Sequence, residues 1–118
     1  MEIKRDYYLN KLIESENNGL IKIVTGIRRV GKSYLLFTIF YKYLMNKGVD
    51  KEHIIDVALD DRINKELRDP DKMLEYIRSK IIDDEQYYIM LDEVQLMEDF
   101  EDVLLSLLHI KNVDVYVT

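Results

Sequence analysis

The chain has 118 residues, 47% apolar and 34% charged, with no cysteine and a net charge of −6. That is enough for one small domain with its own core, and it excludes a disulfide framework or a thiolate metal site. The acidic balance argues against broad, sequence-independent nucleic-acid binding, and no apolar run nears the roughly 20 residues that span a bilayer.

Charges at Glu2, Lys4, Arg5 and Asp6 leave no signal-peptide core, so the expected compartment is the cytoplasm. The charge is uneven. Residues 1–50 carry nine Lys and Arg against five Asp and Glu, and residues 51–118 carry eight against eighteen. A solvated face explains most such asymmetries, and it carries little weight here.

In chain order, Asp6–Ser15 reads as an opening helix with Tyr8, Leu9, Leu12 and Ile13 on one side, and Gly19 as a residue just past its end. Ile21–Thr25 is a short β-branched run, a buried strand. A helix from Lys32 to about Met45 follows, with Leu35, Leu36, Ile39, Phe40, Tyr43 and Leu44 at helical spacing, and Asn46-Lys47-Gly48 stops it. Ile54–Leu59 is a second strand and Asp60-Asp61-Arg62 a polar break. Asp69 and Pro70 open another helix as N-cap and first helical residue, with Met73, Leu74, Ile77 and Ile81 facing inward. Tyr87–Leu91 is a third strand, Asp99 caps a helix carrying Phe100, Val103, Leu104, Leu107 and Leu108, and Val113–Thr118 is a fourth strand. Alternating strands and helices predict a parallel sheet with helices on its faces.

Between the first strand and its helix stands Gly26-Ile27-Arg28-Arg29-Val30-Gly31-Lys32-Ser33. Two glycines let the backbone turn tightly and approach a phosphate, and successive N–H groups can then cradle the anion. A lysine at position 32 can reach β- and γ-phosphate oxygens, and a hydroxyl at 33 can ligate Mg²⁺. Strand, glycine loop and helix in that order is the setting such a motif needs, because the helix N-terminus then faces the phosphates. The candidate nucleotide-binding residues are Gly26, Ile27, Arg28, Arg29, Val30, Gly31, Lys32, Ser33 and Tyr34.

Asp92 and Glu93 end the third strand. Ligands of open parallel sheets bind at the carboxyl ends of the strands, so this pair should lie on the rim that carries the glycine loop. Asp92 can hold Mg²⁺ through its water shell, and Glu93 can orient and deprotonate an attacking water. Asp60 and Asp61 stand at the same rim, read as a solvated turn. Gln95 could contact a neighbour or a bound nucleotide. His53 and His109 have no partner at metal-ligand spacing and read as structural.

The glycine loop at 26–33, Leu-Asp-Glu-Val-Gln at 91–95 and the stretch Leu107–Thr118 together resemble the predicted AAA+-type ATPases of archaea and bacteria, over essentially the whole chain. The resemblance implies a P-loop NTPase sandwich with the fourth strand between the first and third. It also implies ATP as the nucleotide, Lys32 and Ser33 in the Walker A loop, Asp92 as the metal residue and Glu93 as the catalytic base. In that family further elements follow the fourth strand, so residues 1–118 would be the N-terminal part of one ATPase domain, with a leading helix at 1–18 and a nucleotide-binding core at 21–118. The isolated segment would then be poorly active. The resemblance leaves open self-association through the ATPase domain, and a protein or nucleic-acid partner engaged by missing regions. A P-loop phosphotransferase and a nucleotide sensor that does not hydrolyse are the alternatives. The adjacent Asp-Glu pair favours water as acceptor over the first.

Overall fold

The structure is a computed structural model that describes residues 2–24 and 29–118, and for 2–6 and 29–30 it describes the backbone alone. Helix α1 spans Glu2–Glu14 and strand β1 spans Lys22–Ile23. Helix α2 runs unbroken over 29–46 in three windings: α-helical Arg29–Tyr34, π-helical Leu35–Phe40 and α-helical Tyr41–Asn46. Then come β2 (Ile54–Ala58), α3 (Pro70–Lys80), β3 (Tyr87–Asp92), α4 (Phe100–Leu108) and β4 (Val113–Val117). Short 3₁₀ turns at Lys51–His53, Arg62–Arg68 and Val94–Leu96 fill the connections.

The four strands are parallel and ordered β1-β4-β3-β2. The last strand in sequence is thus inserted between the first and third, as expected. Strand β3 lies inside the sheet and is buried along its whole length, which is why Tyr87–Leu91 reads as a continuous apolar run. Alternation sends its residues to opposite faces. Tyr87, Ile89 and Leu91 pack with Met73, Ile77, Val103 and Leu107 of α3 and α4. Tyr88 and Met90 pack with Leu12 of α1 and Leu35, Leu36, Phe40 and Leu44 of α2.

The wide π turns suit these residues, because fewer degrees per residue keep positions four apart on one line. Leu36, Phe40 and Leu44 are each four apart and all buried. The helix ends in a Schellman motif: Gly48, at φ +101°, donates its N–H to Met45 O (3.1 Å), and Val49 donates to Leu44 O (3.0 Å). Beside it, Lys47 and the Tyr43 hydroxyl both donate to the Glu16 carboxylate, Tyr43 at 2.8 Å, and clasp the chain that follows α1.

Several elements depart from expectation. Of the described residues in Ile21–Thr25, strand β1 takes Lys22–Ile23, Ile21 lies outside it, and Val24 donates to Val117 O at 2.9 Å. Its alternation is inverted, with Lys22 buried and Ile23 64% exposed. The reason lies on β4, where Lys22 meets a buried Asp114 that also accepts from Tyr116 Oη (2.6 Å) and Asn17 N (2.9 Å). Asp69 caps α3 as expected, accepting from Asp71 N (3.0 Å) and Lys72 N (3.1 Å). Asp99 does not cap α4. Its backbone is left-handed (φ 48°, ψ 39°), not extended, and its side chain makes no cap bond. Helix α1 stops at Glu14, and Asn17 takes a left-handed turn (φ 55°) before Gly19 does (φ 80°), so Gly19 is not the helix's terminal glycine.

His53 has a partner that sequence spacing hides. The segments leading into adjacent strands β2 and β3 bring its Nε2 within 3.1 Å of Asp83 Oδ2. That hydrogen bond raises the His53 pKa, against burial and with help from the charges of Asp83, Glu85 and Asp50. A raised folded-state pKa contributes stability that is complete below the unfolded value of about 6.5 and is lost as pH rises through the folded value. Chemical denaturation between about pH 5.5 and 8.5 should therefore show stability falling with pH in the native protein and a flatter profile in His53→Gln. Parallel profiles for the two proteins would contradict the pairing.

Candidate functional site

The carboxyl ends of β1, β4, β3 and β2 lie along one rim of the sheet, and backbone hydrogen bonds tie them together there. Thr118 N donates to Leu91 O (3.0 Å), Val94 N to Thr118 O (3.1 Å) and Leu59 N to Asp92 O (3.1 Å). Gly26, Ile27 and Arg28 of the expected phosphate cradle, and Thr25 before them, lie outside the described residues, as do the side chains of Arg29 and Val30. Described is the far flank of the loop: Gly31, Lys32 and Ser33, all half-buried, and Tyr34, which is exposed, on the first turns of α2.

That flank meets the acids. Ser33 Oγ donates to Asp92 Oδ2 at 2.7 Å. The second carboxylate oxygen of Asp92 accepts from the Thr118 hydroxyl. Asp92 is only 4% exposed, and these two hydroxyls hold it in place. Glu93 is 7% exposed and sits in the left-handed region (φ 58°, ψ 50°), a strained conformation for a residue with a Cβ and one that collects at functional sites. Its N–H donates to Thr118 Oγ1 (3.0 Å), its carbonyl accepts from Leu96 N (3.0 Å), and its Oε1 accepts from Gln95 Nε2 at 2.5 Å.

A hydroxyl and a carboxylate 2.7 Å apart form an all-oxygen donor set. It suits a hard cation such as Mg²⁺, which takes one or two protein ligands and keeps several waters. The remaining candidates fall elsewhere or serve the fold. Asp61 accepts from Ile63 N (3.1 Å) and caps its own turn, while Asp60 stands beside it in the loop after β2. His53 lies at the opposite rim, and His109 follows the end of α4, where its N–H donates to Ser106 O (3.1 Å).

One residue of this constellation escapes the sequence. Thr118 closes a strand and looks like ordinary β-former, yet it bridges both acids. Only the strand order, which sets Leu91 beside Val117, could have pointed to it. Gln95, expected to contact a neighbour or a bound nucleotide, donates to Glu93, two residues away in the same turn.

The parallel sheet with β4 inserted, and the glycine-loop helix and acid pair meeting at its carboxyl rim, define an α/β domain of the P-loop NTPase-like class. The chain belongs to the AAA domain family, which matches residues 18–118, and is an AAA-like nucleotide-binding domain. It is similar to an uncharacterized protein of Haemophilus influenzae, with 29% identity over 117 residues. That match covers 98% of this chain and 29% of the relative, so the chain spans under a third of that protein's length. No solved structure matches the chain. Among the described residues, no helix is long and apolar enough to cross a membrane.

Proposed function

We propose that this domain binds ATP with Mg²⁺ and hydrolyses it, coupling the cycle to a partner or remodelling step in the intact protein. The 2.7 Å contact between Ser33 and Asp92 carries the reading, because it joins the glycine-loop helix to the acid pair. Lys32 pairs with the phosphate oxygens, Arg28 and Arg29 are further candidates for phosphate contact, and Ser33 and Asp92 would hold the metal. Bound Mg²⁺ would neutralise charge on the phosphates. Glu93 orients a water and accepts its proton as the water attacks the terminal phosphorus and the bond from that phosphorus to the bridging oxygen breaks, releasing ADP and phosphate. Its near-complete burial suits that role, since few bulk waters then compete for the carboxylate.

The test is Glu93→Gln in the intact protein. A positioned general base contributes roughly 10²–10⁴-fold, so kcat should fall by that order while ATP affinity stays within a few fold. Hydrolysis at the parental rate would remove Glu93 from the reaction. Tight ATP binding with no turnover in the unmodified protein would favour a nucleotide sensor, and labelled phosphate on an acceptor other than water would favour a phosphotransferase.

A further inference from the structure

The backbone of Glu93 is held at both ends, its N–H by Thr118 and its carbonyl by Leu96. At 2.5 Å the Gln95 carboxamide donates to Glu93 Oε1. Gln95 is exposed, whereas Glu93 is buried, so a surface side chain of the Val94–Leu96 turn reaches a buried carboxylate. An exposed glutamine has every reason to stay solvated and free, since ordering it costs rotamer entropy. Here it is spent on one acceptor.

We propose that Gln95 is a positioning residue that fixes the rotamer of the Glu93 carboxylate, so that the oxygen presented to the attacking water keeps one direction. This rests on the role proposed for Glu93. The amide touches neither nucleotide nor water in this scheme and acts through the acid alone. A glutamine supplies an uncharged donor long enough to reach back over two residues to the Glu93 carboxylate.

The experiment compares Gln95→Ala, Gln95→Glu, Glu93→Gln and the double variant Glu93→Gln/Gln95→Ala in the intact protein. It measures steady-state and single-turnover hydrolysis of ATP with Mg²⁺, ATP affinity, and melting temperature as a check on folding. Gln95→Glu keeps the size of the side chain but replaces the donor with a like charge beside the base, whereas Gln95→Ala removes the donor without adding charge. Both single Gln95 variants should lower kcat on the order of tenfold or more with ATP affinity within about twofold, because small misplacements of a reacting group are costly. In the Glu93→Gln background the Gln95→Ala change should alter the single-turnover rate by less than about twofold, since residues acting as a unit are not additive. A parental kcat in Gln95→Glu overturns the inference, as does an equal loss from Gln95→Ala in both backgrounds. If Glu93→Gln hydrolyses ATP like the parent, the Glu93 role and the Gln95 role fall together. If Glu93→Gln is inactive while both Gln95 variants behave as the parent, only the Gln95 role falls.

Discussion

Replacing Lys32 with alanine is expected to raise the dissociation constant for ATP with Mg²⁺ by on the order of 10- to 150-fold. A hydrogen bond to a charged group is worth roughly 1.5–3 kcal/mol, and each 1.4 kcal/mol is a factor of ten. Lys32 is half-buried on the first turns of α2, next in sequence to the Ser33 whose hydroxyl reaches Asp92. Little of the core depends on it, so the variant should melt with the parent while its nucleotide titration collapses. Arginine at 32 should restore only part of the affinity, because a planar guanidinium does not replace a compact ammonium at a crowded phosphate. A fluorescent-nucleotide titration in which Lys32→Ala binds as tightly as the parent would remove the lysine from the site.

Asp114→Ala should be the most damaging of the stability variants. The carboxylate is 3% exposed and accepts from Lys22 Nζ, Asn17 N and Tyr116 Oη. Burial, followed by the Asp114 hydrogen bond and charge, drives the Tyr116 phenol far up, so that phenol stays a donor at any ordinary pH. Deleting the acid leaves a buried ammonium unpaired, and breaking such a pair costs about 3–5 kcal/mol. Against a total stability of roughly 5–15 kcal/mol that is enough to unfold a small domain near body temperature. The pair itself need not be a net stabiliser. Lys22→Met together with Asp114→Leu should recover most of the loss, since apolar residues of like volume replace buried ion pairs well. Urea denaturation of the three proteins decides the matter, and a loss under about 1 kcal/mol for Asp114→Ala would show that the Lys22 ammonium finds water instead.

Much of this architecture is legible in the residues. Tyr87–Leu91 can hardly be anything but a buried strand, and the Asp69-Pro70 start of α3 is fixed by a cap and a preset φ, both local effects. The glycine loop and the acid pair are readable because their chemistry demands particular residues at particular spacings. What sequence withholds is non-local. The insertion of β4 between β1 and β3 came from the family resemblance, not from the residues, and with it come the bridge from Thr118 to both acids and the buried Lys22–Asp114 pair. Lys22 shows the difficulty well. In Ile21-Lys22-Ile23 simple alternation turns the lysine outward, but the carboxylate waiting on the neighbouring strand turns it inward and leaves Ile23 exposed. Asp99 is a local failure of another kind: an aspartate in the right place whose left-handed backbone goes with a side chain that makes no cap bond.

The π winding at Leu35–Phe40 has a mechanical corollary. Every residue after it in α2 is turned from where an ordinary helix would set it, and Tyr43 and Lys47, which grip Glu16, ride on that last stretch. Ser33 and Tyr43 are therefore mounted on one spindle, and the pitch of its middle section decides how the first helix is seated. Any tightening of those turns would be felt at once by the clamp on the leading segment and by the hydroxyl facing Asp92.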